Sequence, residues 1–420
     1  MKIFKFGGAS IRDAQNMQNV VSIIKNYQSE IGLIVISALG KTTNKLEKVV
    51  TEFYNHNLQN AAQLLEELKT EHLQLAKGLN LSEMVLAELA DMFVDVEWVL
   101  DGSPERDFDY YYDQIVCLGE LLSTKIVAEL LLINNIENMW VDVRDLIRTD
   151  DNYRAANVQW AETNLLIQLK IKPLFGKKLV VTQGFVGSTN DNCATTLARE
   201  GSDYSAAIFA YCLDAEEMQI WKDVDGVLTA DPRLFADAIL LPRLSYQEAI
   251  EMTYYGAQVI HPKTLQPLQA KNIPLRVRSF INQNTNGSII HHSEEIDNLK
   301  FPTIIVFKAN QCLLHLQSLD MEFIDEQKLS EIFNLLSKLK LKTNMCQHSA
   351  LGFWAAVNDE PNKLAQLNSL LPAYFKLEIV PELQLLTLRH CPANLVDKYI
   401  NNKPVFLQDS NKTTQQFLIK

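Results

Sequence analysis

The sequence predicts an α/β protein, an open and mainly parallel sheet sandwiched by helices, followed by a smaller α+β region. Three observations carry this. Short β-branched runs alternate with helix-period segments over residues 1–290. Fourteen of the 15 glycines lie in residues 1–300, and only Gly352 lies beyond. Residues 301–420 hold 12 Lys+Arg against 11 Asp+Glu, whereas the whole chain of 420 residues carries a net charge of −12. Two segments that differ this much in composition are expected to do different jobs.

The first segment opens with a strand at 2–6 (KIFKF), broken by Gly7-Gly8-Ala9-Ser10. Helical spacing follows over 11–27, through Ile11, Ala14, Met17, Val20, Val21 and Ile24. Residues 32–38 (GLIVISA) form an apolar run suited to a strand buried on both faces, which completes a βαβ unit. Residues 44–100 are mostly helical and polar on one side, so they predict an inserted helical subdomain. One helix is expected over 113–133, strands near 138–143 and 178–183, a helix at 203–213 and a strand at 216–222. Arg276-Val277-Arg278 is expected in the last strand of the sheet.

Residues 291–300 (HHSEEIDNLK) predict a polar linker. Beyond it the expected order is strand (303–308 and 311–317), helix (325–338), strands (341–346 and 350–357), helix (361–371) and strand (375–380). This β-α-β-β-α-β order is ferredoxin-like. A second copy starts at 382–389, with a helix near 393–401 and a β tail, and is too short to be complete. The expected domains are therefore 1–290 and 301–420, joined by 291–300.

The acidic balance argues against nucleic acid or an anionic membrane as partner, since no basic excess exists to release counterions. The six cysteines are scattered without a C-x-x-C pair, which suggests neither a disulfide scaffold nor a zinc site. The N-terminus shows no signal-peptide pattern and no run approaches 18 apolar residues, so a cytoplasmic protein is expected.

Several motifs fail. Gly40-Lys41-Thr42 resembles the end of a P-loop, but the required first glycine is Val35. Asp223-Val224-Asp225-Gly226 lacks the rest of a calcium loop. No G-x-G-x-x-G and no G-x-S-x-G occurs. What remains is a different anion site. Lys5 ends the first strand beside Gly7 and Gly8, whose backbone can approach an anion closely at a helix N-terminus. Residues 182–189 enter a loop rich in glycine and hydroxyl groups, and a helix leaves from Ser202-Asp203, with Ser202 as its expected cap. Arg199 offers a planar fork suited to a carboxylate. Trp221 to Arg233 is a strand end followed by a tight loop with carboxylates and cations. Glu120 opens a long apolar helix.

Together these segments resemble the aspartate kinase family of the amino acid kinase superfamily. KFGGAS is similar to the family's K-F-G-G-T-S, with Ala9 in place of Thr. SALGKTTNKL (37–46), Gly119-Glu120, TQGFVGS (182–188), TTLAREGSDYSA (195–206), WKDVDGVLTADPR (221–233) and GAQVIHPKTL (256–265) match in order. The C-terminal region resembles the ACT modules that follow the kinase domain in this family.

The resemblance implies transfer of the γ-phosphoryl of ATP, with Mg²⁺, to the side-chain carboxylate of L-aspartate, the first step toward lysine, threonine and methionine. Lys5 and Asp203 are the implied catalytic residues, Asp203 orienting Lys5. Ser37, Thr43, Glu120, Arg199, Gly201 and Ser202 are implied to bind aspartate, with Arg199 on its α-carboxylate and Glu120 on its α-ammonium. Lys5, Gly7, Gly8, Lys222, Asp223, Leu228, Arg233 and Gln258 are implied to contact ATP. No dedicated metal ligands are expected, and Mg²⁺ should ride on the phosphates and water. Gln258 departs from the family's usual Lys, and Lys263, Lys41 or Lys222 is expected to compensate. The turn 318–322 has no glycine, so the ACT-like tail is expected to serve homodimerisation rather than to bind a regulatory amino acid. The competing readings are a kinase for another acid and a non-catalytic amino-acid sensor.

Overall fold

The computed structural model describes residues 1–198, 200–257, 260–292, 301–319 and 321–420. Two compact units emerge. The first comprises Met1–Val227, Leu240–Ile250 and Ile260–Asp297, and the second Leu228–Ile239, Glu251–Val259 and Asn298–Lys420.

In order, the first stretch of chain forms β1 (Lys2–Phe6), α1 (Ala14–Asn26), β2 (Ile31–Ile36), α2 (Thr42–Tyr54), α3 (Leu58–Gly78), α4 (Glu83–Asp91), α5 (Val94–Leu100), α6 (Phe108–Val116) and α7 (Leu118–Ile133). There follow β3 (Asn138–Val141), α8 (Trp160–Lys170), β4 (Leu179–Gln183), β5 (Val186–Ser188), β6 (Ala194–Thr196), α9 (Gly201–Leu213) and β7 (Glu217–Lys222). Last come β8 (Arg243–Leu244), α10 (Tyr246–Tyr255), α11 (Pro262–Ala270), β9 (Leu275–Ser279) and β10 (Ser288–Ile290).

The main sheet has the order β3-β4-β2-β1-β7-β9-β10-β8. All pairings from β3 to β9 are parallel, and β10 runs antiparallel to β9. Arg276–Arg278 is thus not the last strand, because β10 turns back onto it after the loop at Gly287 (φ +65). β1 lies between β2 and β7, where the strand order changes direction. In open α/β sheets ligands bind at the carboxyl ends of strands at such a point.

Alternation along β1 assigns its side chains to opposite faces. Phe4 and Phe6 join a core with Met17 and Ile24 of α1 and with Ile126 and Leu130 of α7. Lys5 has the opposite parity, the face on which α9 packs. The helical insertion begins at Thr42 and shares the first core through Leu46, Phe53, Leu65, Leu89 and Phe93, so its apolar stripe is buried against the sheet unit. The helix expected over 113–133 is two helices, α6 and α7, interrupted at Cys117. Just beyond the break, a Cβ on Gly119 would come within 3.0 Å of the Ala38 Cβ, so the missing side chain lets α7 approach the loop after β2.

The second unit holds β11 (Ile304–Ser318), α12 (Glu326–Lys338), β12 (Thr343–His348), β13 (Gly352–Asn358), α13 (Pro361–Leu370), β14 (Phe375–Arg389), α14 (Val396–Ile400), β15 (Val405–Ser410) and β16 (Thr414–Ile419). They form one sheet ordered β12-β13-β11-β14-β16-β15. The expected pairs of strands at 303–317 and 375–389 are each one long strand. β11 passes the expected break with a bulge between Lys308 and Gln311, where Asn310 takes φ +53. Leu314, Leu316 and Phe353 pack under α12 and α13, while Leu386, Leu388 and Phe417 cluster with Val396 and Tyr399 of α14 and with Ala230 and Phe235. The expected linker falls mostly on 293–300, outside the described residues.

Candidate active site

A cavity of about 680 Å³ lies at the carboxyl ends of β1, β2 and β7. The loops after β1 and β2 and the first turns of α2, α7 and α9 contribute to its lining. After β1, Gly8 brings its backbone against the loop following β2: Gly40 N–H donates to Gly8 O at 3.2 Å, and a Cβ on Gly8 would lie 2.8 Å from Ala38 O. Any side chain there would push the two loops apart. Gly8, Ser37, Ala38 and Gly40 line the cavity, as does Thr43 from α2. Gly7 stands behind this rim, 3.5 Å from Lys5 Nζ at its ideal Cβ position.

Lys5 and Asp203 form the centre. Lys5 is 8% and Asp203 3% exposed, and Lys5 Nζ sits 2.6 Å from Asp203 Oδ1. Lys222 Nζ, at the end of β7, lies 3.8 Å from Asp203 Oδ2. Burial alone would raise the Asp203 carboxyl, but Lys5 and then Lys222 hold it below the ordinary carboxylate range. Two ammonium groups thus flank one carboxylate beside a cavity, and an anion entering there meets positive charge.

Asp203 is in the first turn of α9, whose N-terminus faces the cavity through Gly201 and Ser202. Ser202 does not cap this helix. Glu200 occupies the cap position in a left-handed conformation (φ +58), without a side-chain bond to the first turn. The helix therefore starts two residues earlier than the Ser-Asp pattern suggests, because Gly201 packs against Phe185, where a Cβ would lie 2.6 Å from that ring. Gly184 similarly leaves room for Ser202, at 2.5 Å.

Glu120 enters from α7. It is 2% exposed, and its Oε1 accepts the Ala38 N–H at 3.2 Å. Its Oε2 is buried without a hydrogen-bond partner. Burial pushes this carboxyl up to about 8, even though the Ala38 N–H and the Lys5 charge favour its ionised form. A buried acceptor with no donor is costly, and it fits a ligand that brings its own N–H groups.

Of the other expected residues, Asp223 is exposed in the loop after β7. Leu228 and Arg233 belong to the second unit, where Arg233 pairs with Asp231 of its own loop at 2.6 Å. Arg199 and Gln258 lie outside the described residues. Sequence reasoning missed Glu47, Tyr112 and Arg154, which line the same cavity. Glu47 could have been found, since it follows Thr43 by four residues on α2 and so shares its face. Tyr112 and Arg154 come from segments with no local signature. Among the described residues, no group of three or more His, Cys, Asp or Glu is placed to hold a metal ion, and no helix is long and apolar enough to cross a membrane.

The profile of the Amino acid kinase family matches residues 1–279. Lysine-sensitive aspartokinase 3 of Escherichia coli (strain K12) is 30% identical over 345 residues, covering 82% of this chain and 75% of that protein. The chloroplastic bifunctional aspartokinase/homoserine dehydrogenase 2 of Arabidopsis thaliana is 33% identical over 313 residues, covering 72% of this chain but 33% of that longer protein. The crystal structure of E. coli aspartokinase III in complex with aspartate and ADP aligns with a TM-score of 0.84 and 26% identity, covering 100% of this chain and 96% of that one. A family match over residues 1–279, two thirds of the chain and the part that holds the Lys5–Asp203 cleft, establishes that this chain belongs to the amino acid kinase family.

Proposed function

We propose that this protein is an aspartate kinase, transferring the γ-phosphoryl of ATP to the side-chain carboxylate of L-aspartate. The observation that carries the reading is Glu120: a buried carboxylate oxygen without a partner, in one cavity with the Lys5–Asp203 pair. An ammonium-bearing acceptor satisfies that oxygen while its carboxylate faces the phosphate. The aspartate and ADP held by the similar E. coli enzyme support the same pairing of ligands.

The chemistry needs little beyond placement and charge neutralisation. The acceptor carboxylate is already ionised near neutral pH. Its oxygen forms a bond to the γ-phosphorus as the bond to the bridging oxygen breaks. ADP and 4-phospho-L-aspartate leave, and no proton moves. Lys5, the Gly7-Gly8 backbone and the start of α9 neutralise the transferring group, and Lys222 serves the nucleotide side. Asp203 positions Lys5. Ser37, Thr43, Gly201 and Ser202 surround the acceptor, with Arg199 on its α-carboxylate. Asp223, Leu228, Arg233 and Gln258 contact the nucleotide. Mg²⁺ travels with the phosphates, because Asp203 is already matched by two ammonium groups and makes a poor metal ligand. The product feeds biosynthesis of lysine, threonine and methionine.

ATP-dependent hydroxamate formation with a panel of acceptors tests this. Aspartate should give a signal well above glutamate, N-acetylglutamate and no acceptor. A glutamate signal that exceeds the aspartate signal, or none with any acceptor, rejects the proposal.

Residues 1–290 act as the catalytic domain and 301–420 as an ACT-like region that joins two copies of the chain. Light scattering should then give twice the chain mass of 47.8 kDa. A monomer at micromolar concentration would remove the dimer. Six free cysteines suit a reducing, cytoplasmic setting.

A further inference from the structure

The peptide that joins Ser37 to Ala38 is held from both sides by one helix. Its N–H, on Ala38, donates to Glu120 Oε1 at 3.2 Å. Its carbonyl, on Ser37, accepts the hydroxyl of Ser123 at 2.7 Å, within the usual range for such a bond. Glu120 and Ser123 are three residues apart on α7 and so share a face. Both are buried, Ser123 completely. Ser37, Ala38 and Glu120 line the cavity. Ser123 stands behind them and reaches the site through the main chain.

A serine inside a helix commonly bonds back to its own helix. Here that alternative is the weaker one. The Glu120 carbonyl lies 3.1 Å from the Ser123 hydroxyl, but it already accepts the Thr124 hydroxyl at 2.8 Å. A serine hydroxyl has a single hydrogen to give, and Ser37 O is the closer acceptor. Other bonds tie the same loop to β1 and its exit: Ser37 N–H donates to Phe6 O at 3.1 Å, and Gly40 N–H to Gly8 O at 3.2 Å. Neither touches the 37–38 peptide, whose two polar groups both go to α7. Without the Ser123 hydroxyl the carbonyl is free to turn. The N–H on the other edge must turn with it, because a peptide is planar, and Glu120 then loses the Ala38 N–H.

We propose that Ser123 is a positioning residue of the acceptor site: it turns the Ala38 N–H onto one oxygen of Glu120 and so leaves the other oxygen for the ammonium of the acceptor. This rests on the aspartate kinase reading and adds to it a residue that never meets the ligand. Burial raises the Glu120 carboxyl, and the Ala38 N–H acts against it by favouring the ionised form. The orientation of one peptide plane thereby sets how readily the carboxylate ionises to meet an ammonium.

The test compares Ser123→Ala and Ser123→Cys in the full chain. Alanine removes the hydroxyl and favours the helix. Cysteine keeps a weak donor, so it carries the same comparison at reduced size if alanine impairs folding. Ser123→Ala should raise the half-saturating aspartate concentration at neutral pH about tenfold, the scale for an acceptor left without its donor. The ATP value should stay within about twofold. The pH at which kcat/KM for aspartate reaches half its plateau should move upward by about half a pH unit or more, because Glu120 ionises less readily. Ser123→Cys should fall between the parent and Ser123→Ala. In a Glu120→Gln background, Ser123→Ala should leave the pH profile flat and weaken aspartate binding by only about twofold, since the two residues act as one unit. A serine that merely packs α7 gives another pattern: a lower Tm, equal changes for aspartate and ATP, and an unmoved pH profile. That pattern overturns the inference, as does an unchanged aspartate value in Ser123→Ala. If the parent phosphorylates aspartate and only these comparisons fail, the inference alone falls. If the parent phosphorylates no acidic amino acid, the functional reading falls and takes this inference with it.

Discussion

Replacing Lys5 with methionine should lower kcat by about 10²–10³-fold at saturating ATP and aspartate, the scale for loss of one group that stabilises transition-state charge. The half-saturating aspartate concentration should move much less. Folding must be checked alongside, because the substitution strands Asp203. That carboxylate is 3% exposed, and without Lys5 the cation that still faces it among the described residues is Lys222, at 3.8 Å. Breaking a buried pair this way costs about 3–5 kcal/mol in general. The sign with pH follows from the direction of the shift. Asp203 titrates below its ordinary value in the parent, so its pairing stabilises above the unfolded-state value and is lost as pH falls through the folded-state value. The stability deficit of the variant should therefore be largest near neutrality and shrink in acid. A Lys5→Met, Asp203→Asn double variant should regain much of the lost Tm and none of the lost kcat. Turnover of either variant within tenfold of the parent would remove Lys5 from the centre of the chemistry.

The parts of this site that were legible in the sequence share a property. Lys5, Gly8, Glu120 and Asp203 each sit at the junction of a strand or helix with a tight loop, so local pattern and function coincide there. Period-2 alternation in KIFKF already separates Lys5 from Phe4 and Phe6, and the structure uses that separation to set Lys5 against α9. The parts that were not legible are set by distant partners. The start of α9 departs from the Ser-Asp pattern because Phe185, not a capping hydroxyl, decides where Gly201 can lie. Arg154 could not be singled out because its conformation is dictated by Asp113 across 41 residues of sequence. Ala309-Asn310 looks like a turn between two strands, yet a bulge absorbs it within β11, between well-paired neighbours. Composition did separate the two kinds of segment, but it could not show that residues 228–239 and 251–259 group with the C-terminal unit.

Glu120 should make acceptor binding depend on pH in a way that a glutamine abolishes. Its carboxyl is pushed up to about 8, chiefly by burial, so the free protein holds it largely protonated at neutrality. An acceptor ammonium pairs with the ionised form. The kcat/KM for aspartate should therefore rise as pH increases toward about 8 and then level off, until the acceptor's own ammonium begins to titrate. Glu120→Gln should flatten that rise and weaken acceptor binding by about 10²-fold, since an ion pair is replaced by an amide. Stability should move the other way. A carboxyl whose folded-state value lies above its unfolded-state value of about 4.3 binds more protons when folded, so its contribution is fully present at low pH and is lost as pH rises through about 8. Above that range the parent carries an ionised, half-satisfied carboxylate in its interior, and Glu120→Gln should melt higher than the parent without ligand. Adding aspartate should reverse the order by stabilising the parent far more than the variant. A variant that lost both stability and binding at every pH would indicate that Glu120 only supports the start of α7, and its carboxylate would no longer be assigned to the acceptor's ammonium. The crossing of the two melting curves with ligand is therefore the sharper observation: packing alone gives a difference that does not depend on aspartate, whereas a carboxylate kept unpartnered for a cation gives one that changes sign.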